Sequence, residues 1–88
     1  MNKMRYTYMT KGTCSSRIEF DLLEDKTVSN VVFTGGCNGN LKAIAKLAEG
    51  MSAAHLIELL AGNTCGYKQT SCADQFAKAL SEALDAAN

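Results

Sequence analysis

Arg17-Ile18-Glu19-Phe20-Asp21-Leu22-Leu23 decides how this chain folds. Apolar and charged residues alternate through it, which puts Ile18, Phe20 and Leu22 on one face and Arg17, Glu19 and Asp21 on the other. A period of two with one charged face describes a half-buried strand of an antiparallel sheet, packed on one side and wet on the other. Upstream, Met4 to Thr10 alternates as well, with Met4, Tyr6 and Tyr8 on one face and Arg5, Thr7 and Met9 on the other. Lys11-Gly12-Thr13-Cys14-Ser15-Ser16 reads as the turn between them, Gly12 supplying a positive φ. Downstream, the polar turn Glu24-Asp25-Lys26 leads to a third strand from Val28 to Thr34. Val28 is out of phase with Val31 and Phe33, and a bulge near Ser29-Asn30 would repair the register.

Beyond Thr34 the period changes. Thr34-Gly35-Gly36-Cys37-Asn38-Gly39-Asn40 is a glycine-rich break. Leu41, Ile44, Ala45 and Ala48 then fall at helical spacing, with Gly50 at a C-cap position. Ser52 is a natural N-cap for a second helix, flanked by Met51 and Leu56 as a hydrophobic staple. Its apolar stripe reads Leu56, Leu59 and Leu60, and Gly62 is the stop. Asn63 to Cys72 is the least ambiguous loop in the sequence. Ser71 with Asp74 fits a capping box, and Phe76, Leu80, Ala83, Leu84 and Ala87 line one face of the last helix. Three strands followed by three helices predict one α+β domain over residues 1–88, a three-stranded antiparallel β-meander with its helices packed on one face.

Composition narrows the function classes. Nine basic and nine acidic residues balance to zero net charge. No Lys/Arg cluster forms the footprint of a DNA or RNA binder. No apolar run reaches the roughly 18 residues of a membrane span, and the first residues lack the apolar core of a signal peptide, so a cytoplasmic protein is expected. A domain this small has a thin margin of stability, and a metal, a staple or dimerisation through an exposed helix or the sheet's open face would help it.

The four cysteines, Cys14, Cys37, Cys65 and Cys72, all fall in turns or caps of this layout. A cytoplasmic setting favours reduced thiols over disulfides, so metal ligation or redox chemistry moves forward. Chain parity brings the four to one pole. Cys14 lies in the first turn, and the third strand returns Cys37 to that end. The first helix then leaves for the far pole, and the second returns toward Cys65 and Cys72. Cys37 just before one helix and Cys72 in the first turn of another would both feel a positive helix end, which favours the thiolate. Three readings remain open: a four-thiolate metal site, with zinc ahead of an iron–sulfur cluster; a redox dithiol of Cys65 and Cys72; and four unrelated small buried side chains. No C-x2-C knuckle or C-x-x-C redox motif is present. His55, the sole histidine, belongs to the far pole and reads as an ordinary residue. Glu19, Asp21, Glu24 and Asp25 read as a solvated strand edge. The Gly35–Asn40 stretch lacks the Lys-Ser/Thr of a phosphate loop.

Thr70-Ser71-Cys72-Ala73-Asp74-Gln75 resembles the motif of the TSCPD domain family, named for Thr-Ser-Cys-Pro-Asp. Gly35-Gly36-Cys37-Asn38-Gly39-Asn40-Leu41 and Leu60-Ala61-Gly62-Asn63-Thr64-Cys65-Gly66 resemble that family's other cysteine blocks, so the likeness runs from about Thr13 to Leu80. Ala73 stands where the family has proline. Proline suits the first turn of a helix because its missing N–H would be unpaired there, so alanine should keep the same backbone. Such domains occur at the C-termini of vitamin-B12-dependent ribonucleotide reductases and as small stand-alone proteins. The resemblance implies a cysteine-rich, metal-binding accessory module that acts in trans on a ribonucleotide reductase catalytic chain. The reductase activity itself needs a large barrel with nucleotide and cobalamin sites, which 88 residues do not supply.

Overall fold

The computed structural model describes residues 3–10, 15–35, 38–62 and 72–87. Within them β1 (Lys3–Met9), β2 (Ser15–Leu23) and β3 (Val28–Gly35) precede α1 (Asn38–Ala48), α2 (Ala53–Leu60) and α3 (Cys72–Ala87). The strands pair antiparallel in the order β1-β2-β3, so the expected α+β meander is present.

The β1–β2 register runs unbroken from Lys3 opposite Leu23 to Met9 opposite Arg17. Between β2 and β3 it slips. Glu19 faces Val32 while Asp21 faces Ser29, so the extra residue is on β3. This is the bulge that the phase of Val28 demanded: Asn30 takes a φ of 53°, and Val28 and Val31 are both buried. A second slip between Ser15 and Arg17, with the extra residue on β2, has no counterpart in the hydrophobic pattern.

The apolar face of β2 anchors the core. Ile18 and Phe20 are fully buried, and Leu22 nearly so. Phe76 of α3 meets Phe20 and Phe33 edge-on, with ring centroids 5.9 and 5.5 Å away, while Tyr6 stacks on Phe20 at 5.7 Å. Edge-to-face contact at this range adds about 0.5–1.5 kcal/mol to the burial itself. Leu80 and Ala83 continue the stripe as expected, and Ala73, Ala77 and Ala79 are buried beside it. In α2 the expected stripe needs correcting. Leu59 is 59% exposed, and the inward residues are Ala53, Leu56, Ile57 and Leu60, the i, i+3, i+4, i+7 set of a single helix face. The cap is as expected: Ser52 Oγ accepts the His55 N–H at 3.3 Å, and Met51 packs on the core cluster that contains Leu56. Gly50 and Gly62, which follow α1 and α2, both have a φ of 80°, a conformation glycine adopts without steric cost.

The outward face of the sheet also departs from expectation. Asp21 is only 5% exposed. Asn30 Nδ2 donates to its Oδ2 at 2.8 Å, Arg5 Nη1 donates to its Oδ1 at 3.3 Å, and Lys3 Nζ stands 3.8 Å away. Arg5 Nη1 also donates to the Asn30 carbonyl at 2.8 Å. The bulge swings Asn30 over its neighbour strand, and Arg5 lies directly across from Asp21 on β1, so side chains from both flanking strands close over the one carboxylate of β2. Glu49, just beyond α1, secures the bulge from its other side, accepting from Asn30 N–H at 2.9 Å and Ser29 Oγ at 2.6 Å.

Candidate functional site

The ends of the elements flank the cysteines in sequence. At one pole the β2–β3 turn meets the α1–α2 junction. Val28 N–H donates to the Met51 carbonyl at 2.9 Å, Gly50 N–H to the Val28 carbonyl at 2.7 Å, and Ala53 N–H to the Lys26 carbonyl at 3.0 Å. Thr27 and Ser52 form a bridge between them. Asp25 shapes the turn itself, its Oδ1 accepting from both the N–H and the hydroxyl of Thr27. So α1 ends and α2 starts at the pole opposite the β1–β2 turn, as chain parity requires. His55, in the first turn of α2, is exposed there and within 3.8 Å of Glu58. It is an ordinary surface residue.

At the other pole, Ser15 faces Gly35 across β2 and β3. Cys14 directly precedes Ser15, and Cys37 follows Gly35 by two residues. Cys72 opens α3 and is half-buried. Cys14, Cys37 and Cys65 lie outside the described residues. Among the described residues no group of three or more His, Cys, Asp or Glu side chains is placed to hold a metal.

Asp74 ties the last two helices together. It lies in the first turn of α3 and is 6% exposed. Its Oδ1 accepts the Gly62 N–H at 2.7 Å, and its Oδ2 lies 3.5 Å from Lys78 Nζ, one helical turn on. A carboxylate at a helix N-terminus is favoured by the macrodipole, and a charge-assisted bond to a backbone N–H is stronger than a neutral one. Gly62 follows the C-cap of α2, so this bond brackets residues 63–71 between two fixed helix ends. Cys65 lies inside the bracketed segment, and Cys72 stands at its exit. The Phe33–Phe76 contact links the two junctions. Phe33 is two residues from the end of β3, and Phe76 is one helical turn, about 6 Å, from Cys72. Ser71, the other half of the expected capping box, lies outside the described residues. The sequence marked Asp74 through that pattern but carried no signal of its bond to Gly62.

A depression of about 240 Å³ between β3 and α1 is lined by Val31, Val32, Phe33, Leu41, Lys42 and Ala45. Lys42 is its one charged residue, too little to select a ligand.

Three antiparallel strands followed by three helices define a small α+β domain. The model of the TSCPD domain matches residues 2–84, and the chain belongs to that family. Comparison with curated proteins found no match, and comparison with solved structures found none. No described helix is long and apolar enough to cross a membrane.

Proposed function

We propose that the chain is a metal-binding accessory module in which Cys14, Cys37, Cys65 and Cys72 hold one ion, zinc first and an iron–sulfur cluster as the alternative. What supports this reading is that the described contacts join the element ends that flank the cysteines in sequence. Ser15 opposite Gly35 brings together the chain next to Cys14 and Cys37, and the Asp74–Gly62 bond brackets the segment holding Cys65 against the helix opened by Cys72. Four thiolates suit zinc, which takes tetrahedral sulfur sites at about 2.3 Å and needs no histidine. Zinc held this way would link the sheet to α3, and its binding free energy would add to folding. Membership of the TSCPD family supports a role in ribonucleotide reduction, in trans, with a reductase catalytic chain as the partner.

A second reading has one observation in its favour. Cys72 sits in the first turn of a 16-residue helix beside the segment that carries Cys65. That placement suits a dithiol that re-reduces a disulfide in the reductase active site, with Cys65 and Cys72 oxidised to a disulfide in exchange.

Metal content and thiol count on protein purified without oxygen test both. Near-stoichiometric zinc or iron, with four thiols protected from alkylation until chelator is added, is the expected result. No metal, four reactive thiols and a melting temperature indifferent to chelator would remove the metal reading. The dithiol would then stand only if Cys65 and Cys72 oxidise reversibly.

A further inference from the structure

The two edges of the sheet are unlike each other. β3 carries the bulge at Asn30, is bonded at its start to Gly50 and Met51, and has α1 alongside. Bulges and covering elements are the usual means by which an edge strand is kept from pairing with another chain. β1 has neither. Its seven residues pair with β2 without a slip, contain no proline or positive φ, and pair with no described residue on their outer side. Lysine and arginine on an edge also act as guards, but Lys3 and Arg5 are both drawn to Asp21 of their own chain. On the helix-bearing face of β1, Met4 is 59% exposed, and Tyr6 and Tyr8 are only half-buried.

We propose that β1 is the docking surface for a second copy of this chain, the two β1 strands pairing antiparallel about Tyr6 to join two sheets into one of six strands. The sequence of β1 is complementary to itself in this register. Tyr6 faces the second copy's Tyr6, and Met4 faces its Tyr8, covering the exposed thioether with an aromatic ring. On the outer face Arg5 meets Thr7 and Lys3 meets Met9, so no like charges are opposed. Other registers do worse. Centring on Arg5 sets two guanidinium groups against each other, and centring on Thr7 leaves Lys3 and Met4 unpaired. A shift of one residue would put the two sets of helices on opposite faces.

Thr7 provides the test because it is exposed and its two neighbours have opposite charge. Within one chain it faces Glu19; across the dimer it faces Arg5 of the second copy. Thr7→Lys should therefore make each monomer harder to unfold yet weaken the dimer, and Thr7→Glu should do the reverse. Sedimentation equilibrium of the full chain under reductant, across the micromolar range, reads the association. A wild-type dimer is expected, with its dissociation constant on the order of tenfold higher for Thr7→Lys and lower by a similar factor for Thr7→Glu, since two symmetric cross-strand pairs change at once. Urea unfolding at concentrations where every variant is monomeric should rank them in the opposite order. A wild-type monomer throughout would overturn the proposal. So would a dimer whose constant ignores both substitutions or follows the order of monomer stability.

Discussion

The two faces of the sheet are organised on different principles. The face toward the helices is apolar and continuous, with Ile18, Phe20, Leu22, Val28 and Val31 closed over by Phe76 and Leu80. The opposite face carries none of the described helices, yet it is not simply wet. One carboxylate, Asp21, is buried there under Arg5, Lys3 and Asn30. The apolar face gains from area removed from water and tolerates some change of shape. The polar face depends on matched donors and acceptors, and a buried carboxylate without them would be costly. A residue with no helix above it can therefore matter to the fold as much as one in the core.

Four substitutions or titrations would break or sharpen that contrast. Phe76→Ala should cost the most, about 3–5 kcal/mol in urea unfolding, because it opens a cavity between Phe20 and Phe33. A loss below about 1 kcal/mol would mean that Phe76 does not join α3 to the sheet. Asp21→Ala should cost about 1–3 kcal/mol, since Asn30 and Arg5 lose their acceptor. If the outward face were only solvated, the change would be near zero.

Acid should reveal the same carboxylate. The side-chain bond from Asn30, and then Arg5, hold Asp21 below the ordinary carboxylate range, against a desolvation effect of opposite sign. Glu49 is lowered chiefly by Ser29 and then by the Asn30 N–H, and Asp25 by Thr27. In the unfolded chain these groups return to a pKa of about 4. The folded state then binds fewer protons, so their contribution is complete above that pH and is lost as pH falls through the lowered folded values. Unfolding measured at about pH 7 and near pH 3 should show a smaller acid loss for Asp21→Asn than for the wild type. Comparing the two at each pH cancels any effect of thiol protonation. An equal loss would place the acid sensitivity elsewhere.

Asn30→Gly should have the smallest effect. Glycine removes the strain of a φ of 53° but also removes the bond to Asp21, and opposing changes of about 1 kcal/mol each leave a small net shift. A loss as large as that of Asp21→Ala would show that the amide, not the arginine, keeps the carboxylate buried.

Which parts of this were legible in the sequence follows from the kind of interaction involved. The alternation of Ile18, Phe20 and Leu22, the cap at Ser52 and the glycines at 50 and 62 are local signals, and the elements they predict are present. The misphased Val28 even located the bulge. Leu59 was misplaced because three leucines in five positions do not say which one is turned outward; Ala53 and Ile57 settle the face. Asp21 misled for a different reason. An aspartate on the polar side of an alternating strand gives no sign that an asparagine nine residues on and an arginine sixteen residues back will converge on it. Parity correctly put the start of α2 at the pole away from the β1–β2 turn. Cys14, Cys37 and Cys65 themselves lie outside the described residues.

The bond between Asp74 and Gly62 also has an entropic side. It joins residues twelve apart in sequence, so the two helix ends are held together by the fold itself. Most of the entropy lost in bringing the ends of such a segment together is then spent during folding. The end of α2 and the start of α3 are thus held at one fixed spacing by a single carboxylate.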